Sequence, residues 1–483
     1  MPTLLKQFMI YGFGDFVFKF IGYASFLIYA RMFTIEEFGI LSLVGTLGGL
    51  IGIFQELGLN NATQRFYFEP KMPENQRSLL VGTSLTILLV WSLMLTGIAL
   101  IILYPLSHAI EKRYEVLWIF IVLTLLSNIP LQILSYSQNL LRIYFSPWKF
   151  TFLSFFKNVV SLSLSLIFIV VFGLGLVGYF WGTFSALVIS IPLSLWFIQK
   201  DLKFRYDKNM AKKVIGFGYP FIFVGLAYWL FGSMDRWMLS ELSNNTEVGL
   251  YSVANKFAMG IFFLTEVFGR AWPPFALKAH ADNPNYRYTY SRIFSYWFFG
   301  ITLVGVGISI FGLEIIHFST PESYWKSANS LSVLSMGIVL ASTTQITAIG
   351  ISLEQRTNLF FIGSWVTAVI NFLLNITLIP EYGAFGASVA TFISFAVLSS
   401  CYLYWTQKLH PIPLEIKKLS LSAFIILVTL LFSLYVNSLE WNMYIFISKI
   451  IFCCLMVSSG FYIFKLSDLR RLFKGKGVAI EEY

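Results

Sequence analysis

The sequence predicts an all-α polytopic membrane protein of about fourteen transmembrane helices, built as two parallel-repeat six-helix lobes with two extra C-terminal helices. Three observations predict it. Of 483 residues, 57% are hydrophobic and 12% charged, with a mean hydropathy of +0.73, about half the charge content of an ordinary soluble domain. The apolar residues gather in runs of the length, about 20 residues, that crosses some 30 Å of hydrocarbon. Between the runs the basic residues segregate: of 34 Lys and Arg, 24 flank the side that holds both termini, 5 flank the other side and 5 lie within runs. The positive-inside rule then places both termini in the cytoplasm.

In chain order the spans are expected at 8–31, 39–60, 78–104, 116–140, 148–172, 176–198, 214–238, 249–275, 290–316, 327–351, 357–379, 384–406, 418–436 and 443–464. Trp118, Trp148, Trp196, Trp237, Trp272, Trp325, Trp405 and Trp441 fall near span ends, as an interfacial belt requires. No small-residue cleavage site follows the first run, and Asp15 and Lys19 interrupt it, so it reads as a retained span. The expected organisation is an N-terminal lobe over 1–198, a cytoplasmic linker over 199–213, a C-terminal lobe over 214–406, two additional helices over 407–464 and a basic tail over 465–483.

The two lobes are read from an internal duplication. "YGFG" at 11–14 returns as "IGFG" at 215–218, Arg31 returns as Arg236, "FGILS" at 38–42 as "VGLYS" at 248–252, and Gly175 and Gly178 as Gly383 and Gly386. A nearly constant offset across six spans marks a repeated unit. Because six is even, both copies enter from the same side and are parallel repeats.

Several function classes drop out. The pI of 9.3 could suggest nucleic acid, but the basic residues follow membrane topology instead. Cys401, Cys453 and Cys454 all lie in apolar runs, so neither a disulfide framework, a metal site nor a cofactor is expected. No D-x-D, H-E-x-x-H or P-loop motif occurs, which argues against catalysis and direct ATP use.

Charges at membrane depth are costly and therefore functional candidates. Asp15 and Lys19 stand four apart on the first span, either as a self-neutralising pair or as part of a cavity lining in which Lys19 meets an anion. Lys157 falls near mid-depth of the fifth span, and Lys256, Glu266 and Arg270 share one face of the eighth. Asn128, Gln132, Ser135, Asn139 and Arg142 form a polar stripe on the fourth span, which reads equally as interhelical glue or as cavity lining. Ser364, Thr367, Asn371 and Asn375 form a similar stripe on the eleventh. Glu56 is expected to pair with Arg65, and Lys449 has no evident role. Pro130, Pro192 and Pro220 are expected to kink their helices. The deep candidates comprise four cations, Lys19, Lys157, Lys256 and Arg270, against two carboxylates, Asp15 and Glu266. Such a balance suits an anion held by charge-assisted bonds.

Three stretches carry a family resemblance: "RMFTIEEFGILSLVGTLGGLIGIFQELGLNNATQRF" (31–66), "GSMDRWMLSELSNNTEVGLYSVANKF" (232–257) and "NFLLNITLIPEYGAFGASVAT" (371–391). They resemble the Wzx-like O-antigen and capsule flippases of the MATE-like MOP superfamily. Asp235, Arg236, Asn371, Asn375, Gly383 and Gly386 are the signature positions. The resemblance implies two lobes around a central cavity, opening by alternating access, in the bacterial cytoplasmic (inner) membrane. It implies a lipid-linked oligosaccharide as substrate, carried on undecaprenyl pyrophosphate for O-antigen, capsule or exopolysaccharide. It further implies membrane lipids, a polysaccharide polymerase and a chain-length regulator as partners, with no nucleic acid. Lys19, Lys157, Lys256, Arg270, Asn128, Gln132 and Asn139 would line the cavity, and Asp15 and Glu266 would couple an ion. A MATE-like small-molecule exporter is the alternative, although a cation exporter should carry an acidic lining. A membrane-embedded polymerase or ligase would need a large outer loop, and no expected outer loop exceeds about a dozen residues by these span limits.

Overall fold

The structure, a computed structural model, describes residues 22–463 apart from 68–72, 115, 204, 283, 355, 357, 438, 440 and 441. Its described residues are helical, without a strand, and divide into two compact units, one ending at Ser240 and one beginning at Glu241.

The first unit contains α1 (22–32), α2 (Ile35–Glu56), α3 (Leu59–Tyr67), α4 (Glu74–Leu103), α5 (Ser107–Tyr114), α6 (Trp118–Ile143), α7 (Pro147–Leu166), α8 (Gly175–Ile198), α9 (Lys208–Gly218) and nearly all of α10 (Pro220–Leu242). A capping box starts α2: Thr34 Oγ1 accepts from the Glu37 amide, and Glu37 Oε2 accepts from the Thr34 amide, satisfying two donors the first turn leaves open. Pro130 and Pro192 sit inside continuous helices, while Pro220 opens α10. Position N1 tolerates proline because no helical bond is lost there.

The expected 199–213 linker belongs to this first unit and is strapped onto it. Tyr67 donates to the buried Asp201 carboxylate (2.8 Å), and the Asp207 amide donates to Thr83 Oγ1 (3.2 Å). At Gly82 of α4 a side chain would run into the Lys203 carbonyl. Backbone meets backbone there because Gly82 has no Cβ.

The second unit contains α11 (Asn245–Asp282), α12 (Tyr286–Ile310), α13 (Gly312–Ser319), α14 (Ser327–Ser342), α15 (Thr344–Thr347), α16 (Ile349–Leu353), α17 (Asn358–Leu409), α18 (Ile416–Asn437) and α19 (Met443–Ile463). Its centre is α14, almost wholly buried. Three buried serines there, Ser327, Ser332 and Ser342, bond to carbonyls, Ser332 to Ala328 and to Ser309 of α12. Such bonding is what an apolar surround demands of a hydroxyl. α18 docks on α12 through Ser433 and Ser309 (3.4 Å), and α19 docks through Lys449 on Glu314 of α13.

α17 runs for 52 residues, which would measure about 78 Å if straight. It is not straight. Tyr402 donates to the Phe360 carbonyl 42 residues earlier, at 3.4 Å, so the chain doubles back. The reversal falls at Gly383, with φ 53° and ψ −129°, a region open essentially to glycine alone. Glu247 then bonds the Ala384 amide (2.7 Å) and caps the returning limb. Among the described residues eleven helices are long and apolar enough to cross a membrane, and the hairpin makes α17 two limbs of crossing length. α10, which carries Asp235 and Arg236, is not one of the eleven.

The duplication has a backbone counterpart. Gly175 and Gly383, matched in sequence, have φ of 52° and 53°. Their partners Gly178 and Gly386 each press against backbone of the preceding helix, at Phe168 and at Leu378. The copies diverge at matched carboxylates: Glu37 caps its own helix, while Glu247 reaches across to α17.

Candidate functional site

The site is a groove inside the first unit, built by three helix faces. α2 contributes Gly45, Gly48, Gly49 and Gly52, and α6 contributes Thr124, Ser127, Asn128, Leu131 and Gln132. Both sets follow the i, i+3, i+4, i+7 spacing of one helical face. α8 adds Tyr179, Phe180, Thr183 and Leu187. The cavity measures about 510 Å³, inside the ~300–1,000 Å³ range of clefts that take a drug-sized ligand. Glycines make the floor low: with no side chains on this face of α2, the space above it stays open.

The polar stripe of α6 holds α2 by its backbone. Asn128 Nδ2 donates to the Gly48 carbonyl (2.8 Å), Gln132 Nε2 to Gly52 (2.9 Å) and Asn139 Nδ2 to Asn60 at the start of α3 (3.0 Å). Each bond spans 80, 80 and 79 residues respectively, so the two helices run parallel and in register. Asn128 and Gln132 therefore both pack the helices together and line the groove. Their amide oxygens have no hydrogen-bond partner among the described residues. Thr124 Oγ1 is buried and likewise lacks one. Glu56 is the one acidic or basic residue among the described residues lining the groove. It does not meet Arg65 as expected; its Oε1 accepts from the Asn60 amide (3.0 Å). A local backbone donor at a helix end is nearer than a side chain nine residues on.

The remaining expected site residues belong to several helices in both units. Lys157 is half-buried on α7 and does not line the groove. Lys256 is exposed and Glu266 half-buried on α11, in the second unit. Arg270 lies on the same helix, with its side chain outside the described residues, and Asp15 and Lys19 lie outside them altogether. Of the signature positions, Asp235 is buried and Arg236 Nη1 donates to the Gly232 carbonyl (3.0 Å). Asn375 Nδ2 donates to Asn371 Oδ1 (3.0 Å), both buried within α17.

Sequence reasoning missed two polar clusters. In the first unit, burial and the neighbouring Asp201 carboxylate push the Tyr144 phenol well above its ordinary range. In the second, His410 gathers several helix ends: Tyr286 Oη lies 2.8 Å from Nε2, Glu354 Oε1 lies 3.4 Å from Nδ1, and the His280 ring packs on Tyr286. Burial lowers the His410 imidazole below its ordinary value. Arg287 Nε also donates to Tyr286 Oη (3.2 Å). The glycine face of α2 was legible from its spacing; both clusters join residues more than 50 positions apart.

Crossing-length helices, a hairpin inside the longest of them, and a polar-edged groove within one unit define a multi-pass helical membrane protein. The sequence profile of the polysaccharide biosynthesis protein family matches residues 4–280, and the chain belongs to that family. It is similar to the uncharacterized membrane protein MJ1375 of Methanocaldococcus jannaschii, 23% identical over 401 residues, covering 78% of this chain and 91% of the relative. Its fold is that of the lipid II flippase MurJ in an inward closed conformation, with TM-score 0.72 and 16% identity over 96% of this chain and 100% of that one. It is also similar in fold to an inward-facing multidrug resistance MATE family transporter of the MOP superfamily, with TM-score 0.64 and 14% identity over 81% of this chain and 94% of that one.

Proposed function

We propose that the protein is a flippase that moves undecaprenyl-pyrophosphate-linked oligosaccharide repeat units across the bacterial cytoplasmic membrane by alternating access, serving O-antigen, capsule or exopolysaccharide synthesis. One observation carries the reading: a chain of the polysaccharide biosynthesis family shares its fold, over nearly its whole length, with a lipid II flippase. The protein acts as a carrier and not as a catalyst. Lys19, Lys157, Lys256 and Arg270 meet the pyrophosphate, whose oxygens accept charge-assisted bonds, while Asp15 and Glu266 link protonation to the transport cycle. Fourteen spans place both termini in the cytoplasm, and the polymerase and chain-length regulator of the pathway receive the product. The likeness to a MATE transporter supports a second reading as a small-molecule exporter, which the basic excess among the deep charges disfavours.

The test is deletion of the gene in its native host. Lipid-linked oligosaccharide should accumulate on the cytoplasmic leaflet, and surface polysaccharide should vanish and return with the wild-type gene. Unchanged polysaccharide together with new sensitivity to cationic dyes would favour the exporter.

A further inference from the structure

We propose that the glycine-floored groove of α2, α6 and α8 is a subsite for the uncharged sugar residues of the cargo, separate from the cationic side chains that meet its pyrophosphate. This rests on the flippase reading above and divides its site in two.

The chemistry of the lining carries the division. Among the described residues lining the groove none is basic, and the one carboxylate, Glu56, already accepts a backbone amide. A pyrophosphate brings only acceptors and negative charge, and the described lining offers it neutral donors but no cation for the charge-assisted bonds it calls for. What the groove offers is uncharged hydrogen-bonding groups. Asn128 and Gln132 are 5% and 8% exposed, and each donates one amide N–H to the α2 backbone and keeps its second N–H and its carbonyl oxygen. Thr124 adds a buried hydroxyl without a partner, and Thr183 adds another hydroxyl on the facing wall. A ligand rich in hydroxyl groups can donate to the Asn128 and Gln132 oxygens and pair with the Thr183 hydroxyl.

The rest of the wall is apolar, with Tyr179, Phe180, Leu131 and Ile53, a surface for the C–H faces of a pyranose ring. A few placed polar groups on an apolar wall is the usual composition of a small-molecule site.

Gly45 supplies a clean test, because a Cβ built there meets nothing within 4 Å. Leucine at this position grows into the groove, and leucine suits a helix interior better than glycine. Gly97, which also has nothing within 4 Å and does not line the groove, serves as the control. Full-length wild-type protein, Gly45→Leu and Gly97→Leu would be placed in nanodiscs. Each would be titrated with bare undecaprenyl pyrophosphate and with the lipid-linked oligosaccharide extracted from the deletion strain.

Wild type and Gly97→Leu should prefer the glycosylated lipid by about tenfold, the equivalent of one or two net hydrogen bonds. Gly45→Leu should bind the bare lipid as wild type does and lose the preference. If Gly45→Leu keeps the preference, or loses both lipids equally, the groove is not a separate sugar subsite, although the flippase reading stands. If wild type binds neither lipid, the flippase reading itself fails and takes the subsite with it.

Discussion

Lys449 Nζ lies 2.7 and 2.8 Å from the two carboxylate oxygens of Glu314, joining α19 to α13. The lysine side chain is 1% exposed and the carboxylate 22%. The pair fastens a helix outside the duplicated unit onto the unit itself. Removing one partner strands the other, so Lys449→Ala should destabilise by about 2–4 kcal/mol, a little below the cost for fully buried pairs. The neutral double variant Lys449→Met, Glu314→Leu should recover most of that. Melting temperatures of the purified variants decide it; equal melting of the single variant and wild type would make the pair incidental.

Gly383→Ala and Gly175→Ala share one backbone problem but not the second. Both sit at positive φ, where a Cβ costs about 1–3 kcal/mol. At Gly175 that Cβ meets nothing within 4 Å, whereas at Gly383 it runs into the Glu247 carboxylate that caps the returning limb. Gly383→Ala should therefore melt clearly below Gly175→Ala. The reverse order would mean that the Glu247 cap contributes nothing.

Acid should loosen the helix ends gathered on His410. The groups facing it are His280 from α11, Tyr286 and Arg287 from α12 and Glu354 after α16. Burial lowers its folded pKa below the ordinary 6.5, so the unfolded chain takes up the proton first. Stability is then full above about pH 6.5 and is lost as pH falls from there through the folded value. Between about pH 7.5 and about pH 5.5, wild type should lose more melting temperature than His410→Gln. Parallel pH profiles would remove His410 from the explanation.

The strap over α4 should open when its floor is raised. Gly82→Val drives a side chain into the Lys203 carbonyl, and overpacking of about 1–3 kcal/mol raises the undocked population about tenfold or more. Six basic residues between 199 and 213 make trypsin the probe. Cleavage there should accelerate in Gly82→Val and stay slow in wild type.

What could be read in advance follows from the range of each interaction. Spans are local, because each apolar run declares itself within about 20 residues, and the turn at Gly383 was visible in "EYGAFG". The amide stripe of α6 was visible too, since Asn128, Gln132 and Asn139 repeat at helical intervals. Its partners were not, because a carbonyl of α2 has no signature in sequence. Lys449 looked purposeless for the same reason: Glu314 stands 135 residues earlier, and only packing brings the two together. The 199–213 segment looked like a tether because its charges are conspicuous, while Gly82 and Tyr67, which hold it down, are unremarkable residues far upstream.

The three amides that bind α6 to the backbone of α2 and of the start of α3 also set the mechanics of the first unit. Sliding one helix past the other by a single turn would break all three bonds together, at about 1 kcal/mol each before any unsatisfied groups are counted. The two helices are geared like a rack, and a rack transmits motion without absorbing it. Any bending within the first unit must then fall at a joint in the chain, and α2 ends at one: Leu57 and Gly58, at φ 53° and 67°, stand between the second and third teeth.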